Sequence, residues 1–406
     1  MTQPSFRPYT HKADIPWEEL AHDRSRCPVV HSEHLDAVQI SSYAGVREVL
    51  QNLDKFTSTY STLWPREEPL PEAEQVFAAA DPPRHTRQRR LCIKALSASR
   101  IQHMRPFSER LADRLIDAIV AEGPTFDLVS TFARKVSEGH IGELLGLPDE
   151  DREHFLHLSA LFELSTADPK SQAYSQEMAH WHAGLMKMVR ERREAGSGSD
   201  DLITTLCFAE LEDGDRLDEA EVAAMIRSVI RAGNTTTSAA IVNIVASLEW
   251  HPEQKAKYLA DIEGLTPSLV EEGLRYDGPV LGLWRRCAQA TTVQGHPLEP
   301  GDRIFSLYAS GNHDPEVFDR PDEFVIDRDW KKMPPHLAFG YGIHHCIGMN
   351  LARLECETAL SALYRRLPQL RLKPGAPIPQ LPGPVFRTWT SLEMEYTASD
   401  PAAANR

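Results

Sequence analysis

The chain has 406 residues and carries 44 Lys and Arg against 59 Asp and Glu, a formal net charge of −15. So acidic a balance excludes general nucleic-acid binding, which needs a basic footprint, while the length is ample for a core that encloses a cofactor. Six cysteines (Cys27, Cys92, Cys207, Cys287, Cys346 and Cys356) are scattered without a paired framework, which predicts a reducing compartment.

Pro4, Pro8, Pro16 and Pro28 predict an irregular segment over residues 1–30. Residues 1–14 hold no apolar run of the kind that starts a secretion signal. No later stretch is long and apolar enough to span a bilayer. A soluble, cytoplasmic protein, free of membrane and most simply monomeric, is expected.

Residues 37–40 read as a short strand. Residues 43–50 read as a helix, with Ala44, Val46, Val49 and Leu50 on its apolar positions. A Pro- and Glu-rich connector follows over 64–74. Pro82 and Pro83 then stand where a helix can start, since proline lacks the donor that a first turn leaves unused. In that helix His85 and Arg89 are four apart and share one face. Two donors on one face can grip a carboxylate, although an isolated basic face is usually only solvated.

Residues 108–195 are helical in pattern, with a helix start at 126–129 and a stop at Gly146 and Pro148. Amphipathic stretches at 155–164 and 174–188 follow, then a flexible turn at 196–199. Residues 218–250 form the longest helical candidate. Its centre reads Ala232-Gly233-Asn234-Thr235-Thr236-Thr237. A Gly and three successive Thr are poor helix formers, and a local inconsistency of this sort marks either a polar wobble in a core helix or a functional site. Further on, Glu272 and Arg275 are spaced to pair on one helix. Residues 292–297 and 303–307 read as strands of a small sheet.

The most constrained stretch is Phe339-Gly340-Tyr341-Gly342-Ile343-His344-His345-Cys346-Ile347-Gly348, running into a helix that starts near Met349. Cys346 is thereby placed at a helix N-terminus. Backbone N–H groups and the helix dipole there bias its sulfur toward thiolate, a soft metal ligand. The glycines leave room for a flat macrocycle to approach the backbone. Zinc is a poorer reading, because no second Cys or His cluster completes a tetrahedral site. A phosphate loop fails for want of a following Gly-Lys-Ser/Thr.

This loop resembles the haem-binding loop of the cytochromes P-450, Phe-Gly-x-Gly-x-His/Arg-x-Cys-x-Gly, at every fixed position. The resemblance extends over residues 30–397 and is of the soluble bacterial type. It implies a single, mostly α domain with small β-sheets over 31–397, followed by a disordered tail at 398–406. It implies haem b with Cys346 as axial ligand and Phe339, Gly340 and Gly348 around it. His85, Arg89, Arg285 and His344 are implied as partners of the haem propionates. Ala232, Gly233 and Thr236 match the family's oxygen-binding helix, and Thr236 is implied to bond dioxygen. Thr235 stands where the family usually has an acid, which leaves Thr235, Thr236 and water as the proton route. Glu272, Arg275 and Arg328 match a buried core triad. Val280, Leu281, Leu283 and Trp389, with Trp64 and Phe162, are implied to line the pocket, near the tip of a terminal hairpin over 386–394. In Asn312-His313-Asp314-Pro315, His313 stands for the family's usual Arg.

The expected reaction inserts one oxygen atom of O₂ into a small or mid-sized apolar substrate. Electrons come from NAD(P)H through a ferredoxin reductase and a ferredoxin, the latter docking on a basic face made by Arg84, Arg87, Arg90, Lys94 and Arg353. A peroxide-driven peroxygenase and a non-enzymatic haem sensor remain open.

Overall fold

Apolar residues at helical spacing build most of the chain. The computed structural model describes residues 17–63, 66–72, 75–93, 95–147, 172–381 and 383–397, with the backbone alone over 172–181. The amphipathic stretch at 155–164, Trp64, Lys94, Phe162, Pro148 and the tail at 398–406 lie outside the described residues.

The main helices are α1 (Trp17–Arg26), α2 (Tyr43–Gln51), α3 (Arg84–Ile93), α4 (Arg105–Glu122), α5 (Arg134–Leu145), α6 (Gln172–Ala195), α7 (Glu219–Trp250), α8 (Ile262–Tyr276) and α9 (Met349–Arg366). The 32 residues of α7 cross roughly 48 Å at 1.5 Å per residue. It starts on a reciprocal cap: Asp218 accepts from the Glu221 N–H and the Glu221 carboxylate accepts from the Asp218 N–H. Helix α9 packs on α4 and α8, and α7 packs on α5. Their shared core includes Phe132, Ile241, Val245, Leu269, Leu360 and Leu363, all fully enclosed.

A five-stranded sheet flanks this bundle, in the order β1 (Val29–Ser32), β2 (Ala37–Ile40), β8 (Arg303–Ser306), β5 (Leu283–Cys287), β3 (Phe56–Thr57). A smaller sheet orders β4 (Thr125–Asp127), β10 (Glu393–Glu395) and β9 (Arg371–Leu372), and β6 (Thr291–Val293) pairs with β7 (His296–Leu298).

Three expectations are corrected. Residues 17–26 form a helix rather than irregular chain, because they are free of proline and carry Glu18 and Glu19 in the first turn and Arg24 and Arg26 in the last. Residues 125–127 form a strand before the helical turn at Val129–Ala133. Residues 393–395 pair with β4 and β9, not with 386–389. Trp17 stacks on His313 with ring centroids 4.0 Å apart, and His313 bridges Asp322 and the Tyr276 carbonyl, each at 2.9 Å. The His that stands for the usual Arg thus fastens α1 to the core.

Candidate functional site

Two short turns, Leu337–Phe339 and Gly342–His344, carry the chain to Cys346 and into α9. Gly340 and Gly342 have φ of 68° and 71°, where a side chain is strained. A Cβ on Gly342 would also lie 2.6 Å from the Leu50 carbonyl, so the loop is pressed against the end of α2. The Cys346 N–H donates to the Phe339 carbonyl at 2.9 Å and closes the loop. The Cys346 side chain has an exposed surface, yet burial pushes its thiol up. It therefore opens into a recess, the cleft beside this loop. The Gly348 and Met349 N–H groups, with Arg89 and Arg353, pull the other way but do not prevail. The predicted bias toward thiolate is corrected on this point: desolvation outweighs the helix terminus, and a coordinating cation is what inverts the balance.

Two arginines and two histidines converge beside this loop. His85 lies within hydrogen-bond distance of the Ile343 carbonyl at 3.1 Å, and Arg89 donates to the His345 carbonyl at 2.6 Å. The His344 ring is 4.6 Å from that of His85, and its Nε2 is 3.1 Å from the Ser58 hydroxyl. Arg285 is 4% exposed and donates to the Trp284 carbonyl. Burial, then Arg285, His85 and Arg89, hold His344 down at about 2. Burial also lowers His85, Arg89 and Arg285. Among the described residues no carboxylate forms an ion pair with any of the four. Asp81, which feels Arg285 and His85, is already bonded by the Thr57 hydroxyl and the Ser58 N–H. Nδ1 of His85 is buried without a partner. Arg285 is a buried guanidinium without a counter-ion, which is costly, and Arg89 stands half-buried near it with two imidazoles alongside, so the site suits an anion. The two propionates of haem b supply one, beside a thiol and a glycine-lined loop, and the residues present fit that group.

Ala232 is exposed in the middle of the otherwise buried α7, and Thr236 one turn on is half-buried. They share one open face, and the Thr236 hydroxyl donates to the Ala232 carbonyl at 2.6 Å. Gly233 lies against Ile141, where a Cβ would come within 2.4 Å. Asn234 and Thr235 point the other way, each 2% exposed. The Asn234 Oδ1 and Thr235 Oγ1 are buried without a hydrogen-bond partner.

Beneath the loop, Glu272 accepts from Arg275 at 2.8 and 2.9 Å and from Arg328 at 3.1 Å, all nearly enclosed. The triad is assembled as expected. Beside it, Arg353 grips Glu271 at 2.5 and 3.0 Å and lies 4.6 Å over the Phe339 ring. Burial raises Glu271, but His336 and Arg353 overcome that and bring it to about 2. The expected basic face is therefore largely offset: Arg84 pairs with Glu72, Arg87 with Asp215 and Glu221, and Arg353 with Glu271. Arg90 is exposed.

Val280 and Leu283 are half-buried and Leu281 is 4% exposed. Trp389 is enclosed in the main core, its N–H donated to Asn243 at 2.6 Å. Neither Leu281 nor Trp389 presents a surface to the cleft. Phe386, half-buried and bridged to Val280, keeps part of its surface open. Ser58 escaped the sequence reading; Phe386 belongs to the 386–394 stretch expected to reach the pocket, although Trp389 was the residue expected to line it.

A sequence model of the family described as Cytochrome P450 matches residues 152–387. The Vitamin D3 dihydroxylase of Streptomyces griseolus is 36% identical over 330 residues, 81% of this chain and 78% of that protein. The Mycinamicin VIII C21 methyl hydroxylase of Micromonospora griseorubida is 34% identical over 365 residues, covering 87% and 90%. Among solved structures, the polyketide-synthase cytochrome P450 PksS of Bacillus subtilis superposes with a TM-score of 0.86 at 28% identity, over 98% of this chain and 100% of that one. With two arginines and two histidines suited to propionates beside a loop cysteine, the chain belongs to the cytochrome P450 family and is a monooxygenase that carries haem b on a cysteine thiolate.

Proposed function

We propose that Cys346 is the axial ligand, and that His85, Arg89, Arg285 and His344 bind the propionates. The carrying observation is that Arg89 and Arg285, with the imidazoles of His85 and His344, meet around the loop that bears Cys346 with no carboxylate ion-paired to them among the described residues. Phe339, Gly340 and Gly348 would flank a bound macrocycle on the Cys346 side, and Ala232 and Gly233 on the other. When bound, thiolate-held haem supplies the electron donation that favours O–O cleavage. Thr236 holds a proton at Oγ1, donated to Ala232 O at rest and free to turn toward the cleft. Thr235 reaches it only through an ordered water, since its own hydroxyl is buried. Glu272, Arg275 and Arg328 keep the floor rigid.

The substrate is an organic molecule of mainly apolar surface, held against Val280, Leu283 and Phe386, with Leu281 and Trp389 as backing. Relatives named for vitamin D3 and mycinamicin, and a structural neighbour of Bacillus megaterium bound to testosterone, support a bulky one. Electrons pass from NAD(P)H through a ferredoxin docked near Arg90. One observation favours peroxide as an alternative oxidant: the acid position of α7 holds a buried Thr235.

Carbon monoxide added to reduced protein tests the central assignment. Wild type is expected to give the strongly red-shifted Soret band of thiolate-ligated haem, and Cys346→Ala to lose it. A variant that keeps the band places the ligand on another cysteine.

A further inference from the structure

The helix that carries Thr236 also carries an isolated amide in its apolar half. Asn243 is fully buried between Val242 and Ile244. A buried amide is tolerated only where its groups are bonded, and here all of them reach the same two segments. Its Oδ1 accepts from the Trp389 indole N–H at 2.6 Å. Its Nδ2 donates to the Asp277 carbonyl at 2.9 Å and, at 3.5 Å, to the Arg387 carbonyl. Asp277 and Arg387, each 1% exposed, form a buried ion pair. The Arg387 guanidinium lies 4.8 Å over the Trp389 ring.

The tied segments are those that carry the open apolar side chains. Arg387 N–H donates to Pro279 O at 2.9 Å and Leu281 N–H to Val385 O at 2.8 Å. Val280 bridges Phe386 between them. Val280 and Phe386 are the half-buried members of this short ladder, and Leu283, also half-buried, follows it at the start of β5, opposite Ser306. Asn243 follows Thr236 by two helical turns, which places both on one face about 10 Å apart along the axis.

We propose that Asn243 is a positioning residue for the oxidation. Through Trp389 and the Asp277–Arg387 pair it holds the wall of Val280, Leu283 and Phe386 at a fixed offset from Thr236, and so decides which part of a substrate reaches the reacting side of the cleft. This rests on the site reading given under the proposed function. A buried ion pair is weak evidence for stability, and its better-attested use is to fix geometry.

The test uses holoenzyme. Asn243→Leu/Trp389→Leu removes both side-chain partners and avoids stranding either one. Trp389→Phe deletes one hydrogen bond and keeps a ring beneath Arg387, as the milder probe. Three readouts are compared. Haem content and the carbon monoxide band report on the underlying site, and loss of the band in wild type would sink that reading independently. Amide exchange at Leu281 and Arg387 reports on the ladder, with Leu392 as reference. Optical titration compares 4-phenylimidazole, long enough to meet the wall, with imidazole, which is not. In the double variant the two amides are expected to exchange about tenfold faster with Leu392 unchanged. 4-Phenylimidazole is expected to bind about fivefold more weakly, with imidazole within about twofold. Trp389→Phe should move both in the same direction by less. If either variant keeps its haem while exchange and the azole ratio stay at wild-type values, Asn243 only fills the core and the proposal is wrong.

Discussion

Thr236 donates its hydroxyl back to Ala232 at 2.6 Å, while Thr235 is turned into the protein and 2% exposed. The two threonines are therefore unequal. Thr236→Ala should raise the peroxide released per NAD(P)H consumed, since a positioned proton donor is typically worth about 10²–10⁴-fold. Thr235→Val should raise it far less; equal effects measured in one peroxide assay would mean that both hydroxyls reach the cleft. A second residue-scale prediction concerns Glu355, on the helix that Cys346 precedes. It is 1% exposed, with Oε2 unpartnered and His140 Nδ1 4.0 Å away but directed to Val136 O at 2.8 Å. Burial pushes the Glu355 carboxyl well up, so it is neutral in the fold and ionised in the unfolded chain above about pH 4.3. Stability is then lost as pH rises from that point. Glutamine has no such loss, so the Tm of Glu355→Gln minus that of wild type should become more positive from pH 5 to pH 8. His140, held down at about 4 by burial, has the opposite slope, losing stability as pH falls from about 6.5, but it is common to both proteins and cancels in the difference. A flat or falling difference would mean that Glu355 is ionised in the fold. Cys346, His85 and Arg89 were legible in the sequence because fixed spacing on a loop and on one helix face places them. Ser58 was not, since it reaches the site through strand pairing across a long stretch of chain. Trp389 was misplaced because an aromatic near a hairpin tip looks like a pocket wall until Asn243 is found bonding its N–H.

At the scale of elements, the Cys346 loop depends on how its glycines meet their neighbours. Gly340 has φ 68° and only the Tyr308 hydroxyl at 3.7 Å and the His344 carbonyl at 4.0 Å near a would-be Cβ. Gly342 has φ 71° and the rigid Leu50 carbonyl at 2.6 Å. Gly340 has ψ −162°, a backbone region that essentially only glycine occupies, so Gly340→Ala should cost about 1–3 kcal/mol. Gly342→Ala is also strained at positive φ and must in addition move α2 or the loop, so it should lose haem on dilution markedly faster. Equal haem-loss rates for the two variants would show that the contact with α2 does not hold the loop. The long helices α4, α7, α8 and α9 were readable from periodicity and caps. The sheet order was not, because β2 pairs with β8 from the far end of the chain, a choice made by packing rather than by local pattern.

For the whole molecule, the net charge of −15 would repel the acidic ferredoxin proposed as electron donor, and a cationic face would have to overcome that locally. The sequence placed Arg84, Arg87, Arg90, Lys94 and Arg353 on that face. In the fold Arg84, Arg87 and Arg353 each stand within 4 Å of a carboxylate, so the face is a mosaic of paired charges with Arg90 exposed beside it. Paired charges fall off steeply with distance and steer weakly, whereas an exposed cation acts over about 8–10 Å at moderate salt. Steering of this size raises the encounter rate and leaves the docked geometry nearly unchanged. Reduction by limiting ferredoxin should therefore slow with ionic strength, but shallowly. Arg90→Gln should lower the rate at low salt and flatten the slope, leaving the rate at saturating ferredoxin as it was. A steep fall with salt would mean that more cations steer than the fold leaves exposed. A rate that climbs with salt in wild type would mean that the −15 field dominates and that the electron donor is not an acidic protein docked at this face.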